Sequence, residues 1–206
     1  HRDSVISFAS FNHVWGYGPD DIVLRVPKLF FHYVRDNGML FALRNGAAVV
    51  LFEERTTAPL IFRLIKKHRP TVLLNVPTMM RAMIDEARHE RPDLSCLRRN
   101  FSSAELLSPQ LHEEWGRAFG VEVIDRLGSA ESGIAYLCNR PGAVVPGSSG
   151  VVTPMVEIKL VDSVGNEVAQ GQSGVLMMRS DTAAQYYVRD HEKSKSTFPG
   201  GEWVNT

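Results

Sequence analysis

A chain of 206 residues, 44% hydrophobic and 22% charged, has the composition of a soluble globular protein. It is long enough to bury a substantial core as one large domain or two small ones. Lysine plus arginine equal aspartate plus glutamate at 23 each, which excludes a net field favouring nucleic acid or an anionic membrane, so partners have to be argued from sites.

No signal sequence or membrane-length apolar run is present. The two cysteines, Cys96 and Cys138, stand outside any Cys-x-x-Cys or metal-like spacing and read as buried or incidental thiols of a reducing, cytoplasmic setting. The first residue is not Met and the last four, 203–206, carry no turn or cap, so the chain is expected to be a piece of a longer protein.

Asp3 or Ser4 is placed to cap a helix carrying Val5, Ile6, Phe8, Ala9 and Trp15 at helical spacing. Residues 22–26 are short, apolar and β-branched and predict a strand that Pro27 ends. The following run of Leu29, Phe30, Phe31, His32 and Tyr33 is dense enough in aromatics to predict burial. Residues 39–43 read as helical and residues 47–52 as a buried strand. Thr57-Ala58-Pro59 then opens a helix with Leu60, Ile61, Leu64 and Ile65 on one face, and Arg69-Pro70 stops it. Residues 71–76 predict another buried strand, and Pro77-Thr78 starts a helix through Met79, Met80, Met83, Ile84 and Ala87. A third strand is expected over 97–103, leading into Ser102-Ser103-Ala104-Glu105. Ser108-Pro109 is a capped helix start, and Leu111, Trp115 and Phe119 carry that helix to Gly120. Strand-forming residues return over 121–126.

Helices alternating with apolar strands predict an α/β fold, with a mainly parallel sheet flanked by helices over residues 1–140. Beyond Asn139, prolines and glycines break any helix. Alternating Val156, Ile158 and Leu160, the turn 162–166 and the returning strand 174–179 predict a smaller antiparallel β portion of the same domain over 141–206. Tyr186 and Tyr187 form an aromatic loop before a short helix.

Val123-Ile124-Asp125-Arg126-Leu127-Gly128-Ser129-Ala130-Glu131-Ser132 runs strand-formers into a small-residue turn and a carboxylate. In an α/β protein the ligand crevice lies outside the carboxyl ends of the strands, so this stretch delivers Glu131 to a ligand, or else ends in a solvated glutamate at an ordinary strand exit. Gly128 reads as close approach of backbone to ligand. His32 reads as a core histidine or a pocket residue. His68, His89 and His112 lie on separate predicted helices and make no metal cluster. Arg98-Arg99 and the basic residues of 193–195 read as solvated faces, and Met79, Met80 and Met83 as core packing with one turn able to line a pocket.

Several stretches, in one order over nearly the whole chain, resemble the central part of the adenylate-forming acyl- and aryl-CoA synthetases, above all benzoate-CoA ligases. Residues 28–33 are similar to that family's aromatic substrate-pocket stretch. Arg69-Pro70-Thr71-Val72 with Val76-Pro77-Thr78 resembles its strand before the acid-lining helix. Ser102-Ser103-Ala104-Glu105 resembles its adenine loop, and Leu127-Gly128-Ser129-Ala130-Glu131 its Gly-Ser-Thr-Glu motif. Residues 146–150, and Tyr187, Glu192, Lys193 and Thr197, complete the pattern.

The resemblance implies attack of a carboxylate on the α-phosphate of ATP, giving an acyl adenylate and pyrophosphate, followed by transfer of the acyl group to coenzyme A. It implies that Glu131 holds Mg²⁺, with Ser129 and Ala130 beside the phosphate. It places Ser103, Ala104 and Glu105 along the adenine face, and Asp125, Leu127 and Gly128 against the purine. Phe31, His32, Tyr33 and Ile134, with Ala135 and Tyr136, would shape the pocket for an aromatic carboxylic acid. The partners implied are small molecules, with no nucleic acid and no membrane span. The phosphate loop is expected upstream, and the ribose-binding Asp and mobile C-terminal domain downstream, so this piece alone is expected to be inactive.

Three departures stand out. Ala130 replaces the usual Thr, and losing one charge-assisted hydrogen bond to phosphate costs about 1.5–3 kcal/mol, or about ten- to a hundredfold in rate. Ala104 replaces Gly, and Val175 replaces Glu. They leave open a second reading, a catalytically weakened nucleotide- or acyl-binding relative.

Overall fold

The computed structural model describes residues 2–89, 91–200 and 202–206. Helix α1 (Arg2–Val14) leads to strand β1 (Ile22–Arg25). Helix α2 (His32–Arg35) passes through a π-helical stretch, Asp36–Leu40, into α3 (Phe41–Arg44) and then β2 (Ala48–Val50). Three helix–strand units follow: α4 (Ala58–His68) with β3 (Val72–Asn75), α5 (Pro77–Glu86) with β4 (Arg99–Ser102), and α6 (Pro109–Phe119) with β5 (Val123–Gly128). After them come β6 (Ala135–Cys138), β7 (Val151–Val152), β8 (Glu157–Val161), β9 (Val175–Arg179), α7 (His191–Thr197) and β10 (Val204–Asn205).

Local chemistry fixes the helix ends. Thr57 caps α4 by accepting from Leu60 N, and Ser108 caps α6 by accepting from Leu111 N, each with proline in the first turn. Arg69 and Gly120 end these helices in the left-handed conformation.

The large sheet has the order β2-β1-β3-β4-β5-β6-β7, parallel from β2 to β5 and antiparallel from β5 to β7. Its alternation puts Leu73 in a core with Ile61, Met80, Met83 and Trp115 on one face. Val72 and Leu74 join Phe11, Trp15, Phe101 and Ile124 on the other. A separate antiparallel sheet, β10-β9-β8, closes the chain. The α/β class and the later antiparallel portion are therefore as expected. No helix of the described residues is long and apolar enough to cross a membrane.

Two expectations change. Residues 47–52 do not form a buried strand: β2 is the sheet edge, with Ala48 exposed and Leu51 57% exposed. The aromatic run before α2 is not buried throughout either. Phe30 and Phe31 are 79% and 53% exposed and stack on each other, because α2 begins at His32 and turns Val34 rather than the preceding rings into the core. Strand β6 has no counterpart in the sequence reading, and it brings antiparallel pairing in at Ala135.

Candidate active site

The parallel strands β1, β3, β4 and β5 end at a common crevice, a cavity of about 600 Å³. This is where an open α/β sheet offers a ligand site. Loops after β4 and β5 supply Ser103, Ala104 and Glu105, and Gly128, Ser129 and Ala130, to its wall. The α2 region supplies Phe31, His32 and Tyr33, and Ile134 stands opposite. Asp125, Leu127 and Glu131 do not line it.

The β4 loop is tied at both ends. Ser103 Oγ donates to Arg126 O at 3.1 Å, joining it to β5. Glu105 Oε2 accepts from Thr78 N at 2.9 Å and Thr78 Oγ1 at 2.6 Å, supplying the cap that Val76 cannot give α5. Between them Ala104 has φ +73°, a left-handed backbone that explains why glycine suits this position.

Strand β5 turns back into β6 through a serine-stapled loop. Ser132 Oγ contacts Ser129 O at 2.8 Å and Ile134 O at 2.7 Å, while Ser129 Oγ accepts from Ser132 N at 3.2 Å and keeps its proton as a donor on the Glu131 side of the loop. Gly128 lines the cavity, and its own strand partner leaves no room for a side chain. A Cβ on it would lie 2.8 Å from Ile134 O and 2.9 Å from Ala135 Cα, so the backbone also approaches the returning strand β6 closely.

Glu131 sits half-buried beside the cavity, anchored by Ala184 N donating to its carbonyl at 2.7 Å. Tyr187 hydroxyl donates to Glu131 Oε1 at 2.6 Å, and this bond is the main reason its carboxyl lies below the usual glutamate range. It is therefore ionised at neutral pH. Tyr187 is itself held by Ser194 Oγ, which accepts from its amide at 2.8 Å, and by the Phe198 ring. The role of Tyr187 as partner of Glu131 was not legible, since the two are 56 residues apart. Among the described residues no group of three or more His, Cys, Asp or Glu could hold a metal. A single ionised carboxylate nevertheless fits Mg²⁺, which takes one or two carboxylates and fills its shell with substrate phosphate and water.

Asp125 is half-buried, and burial pushes its carboxyl up to about 6. His32 bridges the two sequence readings. It lines the cavity, and its Nε2 lies 2.9 Å from Asp36 Oδ2. Burial pushes Asp36 upward, but hydrogen bonds from His32 and Arg35 outweigh it and hold the carboxyl below the usual range. Burial raises the Tyr33 phenol, whose hydroxyl points to Phe101 O at 3.4 Å. Of Met79, Met80 and Met83, the last two are core and Met79 reaches the cavity wall. Cys138 is buried, its thiol pushed up to about 12 by desolvation, and Cys96 is half-buried.

The sequence reading passed over Arg126. It is 6% exposed and lines the cavity, with its guanidinium 4.5 Å from the Tyr33 ring centroid and 5.0 Å from that of Trp15. The available signal was parity: Arg126 shares a strand face with the fully buried Ile124.

The sequence model of the AMP-binding enzyme family matches residues 1–188. A 4-hydroxybenzoate–CoA/benzoate–CoA ligase of Rhodopseudomonas palustris is 36% identical over 192 residues, 93% of this chain and 35% of that protein. A benzoate–CoA ligase of Thauera aromatica is 33% identical over 194 residues, 94% of this chain and 37% of that protein. The chain thus spans about a third of the length of these curated relatives. The fold superposes on the crystal structure of the anthranilate CoA ligase AuaEII in complex with anthranoyl-AMP with a TM-score of 0.94 at 34% identity, covering 100% of this chain and 40% of that one. For a benzoate CoA ligase of Burkholderia xenovorans LB400 the TM-score is 0.90 at 35% identity, covering 100% and 42%. By sequence and by fold, the chain belongs to the AMP-binding enzyme family.

Proposed function

We propose that this chain is the acid- and nucleotide-binding part of a cytoplasmic ATP-dependent ligase that adenylates an aromatic carboxylic acid and passes the acyl group to coenzyme A. One observation carries the reading: a single cavity runs from the aromatic side chains of the α2 region to the loops at Ser103–Glu105 and Gly128–Ala130. An apolar acid and a nucleotide bound there would meet. The aromatic-acid ligases among the relatives support the same substrate class.

In the first step a carboxylate oxygen of the acid attacks the α-phosphorus, the bond to the bridging oxygen breaks and pyrophosphate leaves. In the second the coenzyme A sulfur attacks the acyl carbon and AMP leaves. No protein nucleophile is required, so catalysis is positioning plus charge neutralisation. Mg²⁺, when bound with ATP, supplies neutralisation of the phosphate charge. Glu131 is the group that would hold it, with Tyr187 fixing the other carboxylate oxygen. Ser129 would donate its proton to a phosphate oxygen, and Tyr33 and His32 would enclose the acid. Small-molecule recognition of this kind needs neither nucleic acid nor membrane.

Ala130 favours a second reading, a slower nucleotide- or acyl-binding relative, because no hydroxyl stands at that wall position. Exchange of radiolabelled pyrophosphate into ATP by the full-length protein separates the two. Exchange dependent on an aromatic acid, and largely lost in Glu131→Ala, supports the ligase. No exchange with any of a panel of benzoates would refute it.

A further inference from the structure

We infer that Arg126 makes its part of the acid pocket an anion-binding subsite, so that the preferred substrate is an aromatic acid bearing a second carboxylate remote from the reacting one. The inference rests on the ligase reading for the reaction, but recognition of the second carboxylate can be measured without it.

Arg126 places a guanidinium inside the protein. Among the described residues its side chain makes one hydrogen bond, from Nη1 to Asn37 Oδ1 at 3.2 Å. Its buried Nε has no partner among them, and no described carboxylate pairs with it. The other charged groups of the cavity wall are already engaged. Lys28 Nζ donates to the carbonyls of Glu53 and Glu54, Asp36 is held by His32 and Arg35, and Glu105 accepts from Thr78. The faces of Tyr33 and Trp15 offset part of the cost of burying the guanidinium, but rings cannot accept its in-plane N–H donors. A buried guanidinium that lines a cavity with N–H groups no protein acceptor takes up is the complement of a carboxylate. Asn37 contributes to that frame, because its Nδ2 donates to Tyr33 O at 2.7 Å while its Oδ1 holds Arg126.

Position decides which carboxylate is meant. Arg126 and Gly128 both line the cavity from β5, two residues apart along the strand, about 7 Å. The reacting carboxylate has to lie near the Gly128–Ala130 loop with the phosphate. The guanidinium, held against the Tyr33 and Trp15 rings, then meets the far substituent of a para- or meta-substituted benzene ring. Benzoate would leave the guanidinium without an acceptor.

The test compares benzoate, isophthalate, terephthalate and the uncharged isostere para-nitrobenzoate in pyrophosphate exchange by the full-length protein. Wild type is expected to show kcat/KM at least about tenfold higher for one of the dicarboxylates than for benzoate and para-nitrobenzoate. Arg126→Met is expected to reverse that ratio, which is internal to each protein and independent of how much of it is folded. Arg126→Lys should retain part of the preference. Benzoate or para-nitrobenzoate preferred over both dicarboxylates by wild type, or a ratio unchanged in Arg126→Met, would overturn the inference while leaving the ligase reading intact. Calorimetric titration with the dicarboxylates separates the opposite case: binding lost in Arg126→Met, with no acid supporting exchange, upholds the subsite and refutes the ligase.

Discussion

Ala104→Gly is expected to stabilise the protein, against the general tendency of glycine substitutions. Ala104 holds φ +73° where the chain leaves β4 to run along the cavity, and the residue is exposed, so its methyl contributes little packing that could be lost. A left-handed L-residue costs roughly 1–2 kcal/mol that glycine does not incur. Glycine gives back about 0.4–1 kcal/mol through the greater freedom of the unfolded chain. The difference predicts a gain of about 0.5–1 kcal/mol, or a rise in Tm of about 1–3 °C for a domain of this size. Equilibrium urea unfolding checks it, with the midpoint expected to rise at unchanged m-value. A midpoint at or below that of wild type would show that the left-handed turn is not strained, and the explanation of why glycine suits this loop would fall with it.

Tyr187→Phe removes the 2.6 Å hydrogen bond to Glu131. Loss of a charge-assisted bond of about 1.5 kcal/mol should lower the adenylation rate about tenfold, and the acid limb of the pH–rate profile should move to higher pH as the Glu131 carboxyl returns toward its ordinary range. An unmoved acid limb would mean that Tyr187 does not act through Glu131. Asp125 has its carboxyl raised to about 6 by burial, so the native state favours its protonated form. Its contribution is fully present below about pH 4, is lost as pH rises through about 6, and amounts to on the order of 1 kcal/mol after allowance for solvent screening. Asp125→Asn should remove that decline, so unfolding free energies of wild type and variant should diverge between these pH values, and a constant difference would exclude the burial effect. Gly150, at φ +89°, has room for no side chain, because a Cβ would lie 2.1 Å from the Cys138 carbonyl carbon. Gly150→Ala should cost at least about 3 kcal/mol in thermal or urea unfolding, and a near-neutral result would mean that the β6–β7 pairing readily shifts.

Features with local causes were readable from sequence. Thr57 and Ser108, each followed by a first-turn proline, marked α4 and α6 because capping is settled within four residues. The buried strand β3 was visible because both of its faces are covered and Val72, Leu73 and Leu74 form an unbroken apolar run. Features set by distant partners were not. Aromatic density at Phe30 and Phe31 carries no information on which way α2 leaves the chain, and the burial of residues 47–52 depended on whether β2 had a neighbour on each side. Strand β6 follows a turn that only the mutual hydrogen bonds of Ser129 and Ser132 define. In the site, the loops at Ser103–Glu105 and Gly128–Ala130 and the α2 aromatics line one cavity. The setting of Arg126 depends on Asn37, 89 residues earlier, and no local pattern announces it.

The central claim is tested most directly by looking for the adenylate itself. Full-length protein incubated with ATP, Mg²⁺ and an aromatic carboxylic acid, without coenzyme A, is predicted to accumulate enzyme-bound aroyl-AMP with matching pyrophosphate, detectable by mass spectrometry. Adding coenzyme A should convert it to aroyl-CoA and AMP. Conversion of ATP to ADP and phosphate, or no acyl adenylate with any aromatic acid, would contradict the account.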